Sequence, residues 1–123
     1  MATGINKNGN TVNVGDHVSI IGKVVSYTNS GSKATVTVQS PLDTGTYAIQ
    51  ANDARSESHS ADSTHTAVSY NGFYYGVAGD NITVMGLVTA ISGSGVNAVL
   101  TVQLISSLNS ISTAAGNVCS DNV

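Results

Sequence analysis

Tryptophan is absent from this chain of 123 residues, and cysteine and proline occur once each. A single cysteine, Cys119, excludes an internal disulfide, and no zinc-type Cys/His spacing exists. Cys119 reads as a bystander near the C-terminus. Charge is scarce too: Lys7, Lys23, Lys33 and Arg55 face seven acidic residues, for a net charge of -3. A protein that grips a polyanion gains affinity from each phosphate it neutralises, and four scattered cations make no such patch. No apolar run approaches the roughly 20 residues of a membrane helix. The opening MATGINKNGN lacks the apolar core of a signal peptide, so the chain is expected to begin its life in a cytoplasm. No nucleophile–base motif such as G-x-S-x-G occurs, and neither an enzyme nor a cofactor is expected.

What remains is rich in Ser, Thr, Asn, Gly and Val, a composition suited to strands and tight turns and poor in helix formers. The length suits one domain with one modest core. One stretch organises it. Val14-Gly15-Asp16-His17-Val18-Ser19-Ile20-Ile21-Gly22-Lys23-Val24-Val25-Ser26 returns 64 positions later as Ala78-Gly79-Asp80-Asn81-Ile82-Thr83-Val84-Met85-Gly86-Leu87-Val88-Thr89-Ala90. Each copy runs into a Gly/Ser turn and a second alternating run, Thr35 to Gln39 and Thr101 to Gln103. The repeat admits two readings, a duplicated ββ unit or the pseudo-symmetry of one barrel. Neither half alone has enough strands to be stable, so both readings end in one β-domain.

Alternation places strands at about 17–27, 33–40, 46–51, 81–91 and 97–105. Val18, Ile20 and Val24 point inward on the first, Ala34, Val36 and Val38 on the second, Tyr47, Ile49 and Ala51 on the third. Gly22 interrupts the first strand, as a bulge or sharp coil in a small barrel would require. Residues 1–13 read as an N-terminal arm, 14–105 as the barrel and 106–123 as a C-terminal tail. Within that tail Leu108, Ile111, Ala115 and Val118 stand at helix-like spacing. Residues 52–66 carry no apolar periodicity and read as a long polar loop. In it Glu57, His59, Asp62 and His65 match no established metal spacing and read as solvated. Asp16 and Asp80 follow glycines at strand starts, where turn capping is the natural role, and His17 reads as an exposed edge residue.

The sharpest feature is aromatic. Tyr70, Phe73, Tyr74 and Tyr75 flank Asn71-Gly72, a type I′ hairpin signal, in an insertion at 67–77. A two-residue turn makes Tyr70 and Phe73 a cross-strand pair and puts Tyr74 on the opposite face. The hairpin either packs over a barrel end or docks on another protein, since Tyr and Phe are enriched at interface cores. Tyr70, Phe73, Tyr74 and Tyr75, with Leu108 and Ile111 in the tail, are the candidate interface residues.

Three strands, an interruption, then two strands resemble the five-stranded Greek-key barrel of the OB-fold. Gly15-Asp16-His17-Val18-Ser19-Ile20-Ile21-Gly22-Lys23-Val24 resembles the G-D-x-V-x-V-x-G-x-V pattern that opens many OB domains. Leu100-Thr101-Val102-Gln103-Leu104-Ile105-Ser106-Ser107-Leu108-Asn109 is similar to the last barrel strand of some tRNA synthetase anticodon-binding domains. Nucleic-acid-binding OB domains carry cations and stacking aromatics on their second and third strands. Here those outward positions are Thr35, Thr37, Gln39, Thr46, Ala48 and Gln50. Composition and the lead-in M-A-x-G-I-N…N-G-N-x-V-x-V-G-D resemble small β-barrel structural proteins of tailed bacteriophages, such as capsid decoration (cement) proteins. That resemblance implies a non-enzymatic assembly module, made in a host cytoplasm and placed on the virion. It would form a homo-oligomer, a trimer being one form, and bind the major capsid protein through arm, hairpin and tail. The alternatives are an OB-fold single-strand nucleic-acid binder and an accessory domain beside a larger protein.

Overall fold

The computed structural model describes residues 3–57 and 63–121. The first half of the chain forms β1 (Thr3–Ile5), β2 (Thr11–Val12), β3 (His17–Thr28), β4 (Thr35–Gln39), β5 (Tyr47–Gln50), a 3-10 turn (Ala51–Asp53) and β6 (Ala54–Ser56). The second half forms β7 (Ala67–Val68), β8 (Tyr74–Tyr75), β9 (Asn81–Ser92), β10 (Ser94–Gly95), β11 (Val99–Leu104), β12 (Ser110–Ala114), a 3-10 turn (Ala115–Asn117) and β13 (Val118–Ser120). The fold is all-β. Its main sheet follows the order β12-β11-β9-β3-β4-β5 and curls into a nearly closed barrel.

The repeat is a duplication of the whole unit. From β3 to β6 and from β9 to β13, each pairing recurs at the same spacing of 64 residues. Val24 opposes Val38 as Val88 opposes Val102, and Val36 opposes Ile49 as Leu100 opposes Thr113. A bulge sits at Val25 in one copy and at the equivalent Thr89 in the other. The hairpins repeat as well: Gly4 pairs with Val12 and Ile5 with Thr11, as Ala67 with Tyr75 and Val68 with Tyr74. One residue inserted after Tyr75 accounts for the different offset there.

The two copies share their strands. β3 and β9 run antiparallel, with Ile20 opposite its own repeat equivalent Val84. β6 of the first copy then pairs with β9, and β13 of the second pairs with β3. The Gly15-Asp16 turn bonds to Val88 of the other copy, and the Gly79-Asp80 turn bonds to Val24. Alternate residues on these strands fill one core, including Val18, Ile20, Val24, Val84, Val88 and Leu100. Gly22 and Gly86 sit where β3 and β9 bend across it. A Cβ at Gly22 would stand 2.6 Å from Val38 Cγ1, and one at Gly86 2.6 Å from the Gln103 carbonyl oxygen and against Val102. A side chain fits at neither position without a shift in its neighbours.

Four expectations are corrected. The expected arm at 1–13 is not free over its described residues, 3–13: β1 pairs with β2 and β10, and Asn6 and Val12 are buried. Residues 106–121 are no helical tail, because Ile111 and Thr113 bury alternately on β12 and Val118 seals the core from β13. Period two wins there over the chance helix-like spacing. The sheet path consequently holds six strands, where five were expected. The predicted loop at 52–66 is structured at its start, where Asp53 and Ala54 are fully buried in the 3-10 turn and β6.

Asp53 and its equivalent Asn117 are the buried polar hubs of the two copies. Asp53 accepts bonds from the N–H groups of Gln50, Ser106 and Ser107 and from the Ser107 hydroxyl, at 2.6–2.9 Å. Four donors with no acceptor is the demand a carboxylate satisfies. In the other copy the carboxylate has changed sides. Asn117 accepts the Leu42 N–H and donates to Thr113, while Asp43, the equivalent of Ser107, takes Thr113 Oγ1 and the Ala114 N–H.

Two outcomes follow from this architecture. Asp53→Asn should lower stability by about 2 kcal/mol, since an amide nitrogen then faces donors. Adding Ser107→Asp to that variant should recover part of the loss, because it reproduces the arrangement of the second copy; urea titrations of both variants decide this. Ending the chain after Ile105 strips Ile111 and Val118 from the core, at about 2 kcal/mol for each buried aliphatic chain before the opened edge is counted. Against a typical total of about 5–15 kcal/mol, circular dichroism should then show no cooperative melt.

Candidate functional site

The duplicated hairpins provide an internal control on the aromatic cluster. In the first, Asn6 N–H bonds to Asn10 O and Gly9 N–H to Asn6 O; in the second, Ser69 N–H bonds to Phe73 O and Gly72 N–H to Ser69 O. Gly9 and Gly72 take the same left-handed conformation, at φ 83° and 82°. Asn71 does not adopt positive φ, so the turn is not type I′. The loop is wider, running from Ser69 to Phe73, because Ser69 Oγ donates to Phe73 O and accepts its N–H. Tyr70 and Phe73 therefore belong to the loop, and the cross-strand partners are Val68 with Tyr74 and Ala67 with Tyr75.

The tip is tied down. Tyr70 N–H bonds to Ala54 O at 2.7 Å, and the Asn71 side chain brackets the backbone N–H and C=O of Ser56. Tyr70 is left 52 % exposed and Phe73 40 % exposed. The equivalent positions of the first hairpin hold Lys7 and Asn10. The same backbone is thus built with polar residues at both sites, and aromatic rings are not required to form it.

The other candidates separate. Tyr75 is fully buried and donates to Ala51 O at 2.7 Å; it is a core residue, as is Ile111. Tyr74 is half-buried. Leu108 is exposed, in a left-handed conformation at φ 64°, on a loop apart from the aromatic hairpin. Six candidates thus resolve into one exposed pair, one exposed leucine elsewhere, two core residues, and the half-buried Tyr74 on β8.

Sequence reasoning missed a pair of equivalent grooves, one at each bend. The first has a volume of about 680 Å³ and is lined by Gly22, Lys23, Gln39, Pro41 and Asn81, among others. The second has about 180 Å³ and is lined at the matching positions by Gly86, Leu87, Gln103, Ile105 and His17. Leu104 and Leu108 line the second, where the equivalent residues of the first copy are Ser40, which lines the first groove, and Thr44, which does not. Comparison with family models, curated proteins and solved structures finds no match to this chain. The internal repeat is therefore its own best reference. Setting residues 17–57 against 81–121 exposes Lys23 against Leu87 and Pro41 against Ile105, and that is the signal by which the groove could have been found.

The polar candidates have structural partners. Asp16 caps the Asn13 N–H and Asp80 those of Gly76 and Val77, the turn roles expected of them. His65 Nε2 lies 3.6 Å from Asp80 Oδ2, and Glu57 accepts the Asn81 N–H. His59 and Asp62 lie outside the described residues; among the described residues no three metal-ligating groups cluster. Cys119 is half-buried on β13.

Two phenols carry a pH signature. Burial pushes Tyr47 up to about 12 from 10.0, with Asp43 adding and its Ser40 hydrogen bond opposing. Burial, then Asp53, raises Tyr75 above the ordinary phenol range as well. Both rings stay protonated when folded at a pH where the unfolded chain ionises. Stability contributed by the neutral phenols is therefore full below pH 10; the share of Tyr47 is lost between about 10 and 12, and the loss from Tyr75 continues above that interval. Urea midpoints measured across that interval should fall, and Tyr47→Phe should flatten part of the slope.

Proposed function

We propose that this chain is a non-enzymatic assembly module that docks on a protein partner through the Tyr70–Phe73 loop. The observation that carries this reading is the pair of hairpins: one backbone, with polar residues exposed in one copy and two aromatic rings exposed in the other. Rings of that size left half in water on a tethered loop are suited to an interface core. Because the tip is already fixed to Ala54 and Ser56, little loop entropy is lost on docking. A nearly closed barrel also hides its strand edges, which keeps a protein used at high copy number from pairing edge to edge.

Within that class, the specific form is a decoration (cement) protein of a tailed-phage virion, bound to the major capsid protein and self-associating, as a trimer for example. The strand path β5-β4-β3-β9-β11 is compatible with an OB-like barrel, and the alternative is therefore single-stranded nucleic acid. The cations argue against it. Arg55 is engaged by Asp121 at 3.3 Å, and Lys7, Lys23 and Lys33 lie on separate elements. At most a shallow salt dependence would result.

Light scattering of the purified chain, with and without a fluorescent oligonucleotide, separates the two. A closed oligomer that ignores the oligonucleotide is expected. Tyr70→Lys with Phe73→Asn, the residues of the first hairpin, should return it to monomer while shifting the melting temperature by less than about 3 °C. A monomer that binds the oligonucleotide at low salt and releases it as salt rises would overturn the reading.

A further inference from the structure

The two grooves differ in what fills them. In the second, the chain supplies its own occupant: Ile105 donates its N–H to the Met85 carbonyl at 3.1 Å, and Leu104 and Leu108 line the groove with Leu87. The first groove is built on the equivalent strands in the same register. There the position of Ile105 is Pro41, the one proline of the chain, which has no N–H to give the Ile21 carbonyl. Ser40 replaces Leu104 and its hydroxyl turns to Tyr47 at 2.8 Å. Lys23 replaces Leu87 and places an exposed ammonium on the rim, with no ion pair to any described residue. The result is a groove of about 680 Å³ against about 180 Å³. A neighbouring cavity shares Ile21, Gly22 and Asn81 with it and is lined by Arg55 and Glu57.

We infer that the groove beside Lys23 takes an extended segment of a partner protein, which supplies from outside what Ile105 and its neighbours supply from within. The occupant presents one backbone N–H to the Ile21 carbonyl, a Leu- or Ile-sized side chain to the space over Gly22, and a carboxylate to Lys23. The missing donor suits a peptide backbone, and the Lys23 ammonium on the rim suits an acidic side chain of the same segment. Strand-like capture by backbone hydrogen bonds with a side-chain pocket is an established recognition mode. This inference rests on the assembly reading in that the partner is a protein. The groove site, however, is separate from the aromatic loop.

The probe is the peptide acetyl-Asp-Leu-Ile-Ser-Ser-Leu-amide, which repeats residues 104–108 behind a leading acid, titrated into the 15N-labelled full chain. Saturable amide shifts are expected at Ile21, Gly22, Lys23 and Asn81, with a Kd of about a millimolar, and none at Met85 or Leu87. Replacing the peptide's Asp by Lys, or Lys23→Leu in the protein, should weaken binding about threefold, as a surface ion pair allows. Pro41→Ile returns the missing N–H and should abolish binding while slowing hydrogen exchange around the first bend. Absence of saturable shifts, equal shifts at both grooves, or indifference to Pro41→Ile would each overturn the inference. The Tyr70→Lys/Phe73→Asn protein keeps the two proposals distinguishable. Loss of its oligomer with no peptide binding removes the groove alone, whereas peptide binding by a chain that never associates through the aromatic loop removes the assembly reading alone.

Discussion

The antiparallel pairing of β3 with β9 is the constraint on which everything else depends. Its register sets Ile20 against Val84 and so relates the two copies by an approximate twofold. Once that pairing is made, each long strand offers its remaining edge first to the other copy's short strand, β13 or β6, and then to its own hairpin partner, β4 or β11. The bends at Gly22 and Gly86 are where those edges change hands, and the absence of a side chain there lets the opposing valines close the core. Neither copy can complete its sheet alone, because its last strand belongs to its neighbour.

A duplicated fold makes divergence legible. Where the copies agree, as in the Gly-Asp turns, the bulges and the valine pairs, the residues serve the architecture. Where they differ, two kinds of change appear. Some are compensated: Ser40 with Tyr47 occupies the space of Leu104 with Ile111, and the Asp53–Ser107 pair of one copy becomes Asn117–Asp43 in the other. Others have no counterweight within the fold. Tyr70 and Phe73 for Lys7 and Asn10, and Lys23 and Pro41 for Leu87 and Ile105, leave apolar rings in water and a groove open. Uncompensated differences of that kind are the ones a partner would explain, and they place the two proposed contact sites in different copies.

Period-two alternation was enough to read the all-β class, the inward residues of the first three barrel strands and the repeat itself, because residues two apart on a strand share a face whatever the strand pairs with. The interruption expected at Gly22 falls three residues later, at the Val25 bulge, where the apolar parity changes; Gly22 itself stays in regular pairing with Ile82. The site was less legible. Asn71-Gly72 pointed to a tight turn, yet the Ser69 hydroxyl widened it, and of the four aromatic candidates Tyr75 went to the core while Tyr70 and Phe73 stayed exposed. The tail misled for a similar reason: a few apolar residues in a Ser/Thr background fit several periods, and the neighbouring β11 selected the extended one.

The sequence by itself determined which residues alternate, where the chain turns and that one unit is stated twice, since these are properties of neighbours along the backbone. Only the tertiary structure decided that the units exchange their last strands, that β1 and β13 join the sheets, and which aromatic rings and which of two equivalent grooves face solvent. A three-residue strand such as β6 or β13 carries too little pattern to choose a partner. Its place is settled by the free edge that the β3–β9 pairing leaves beside it.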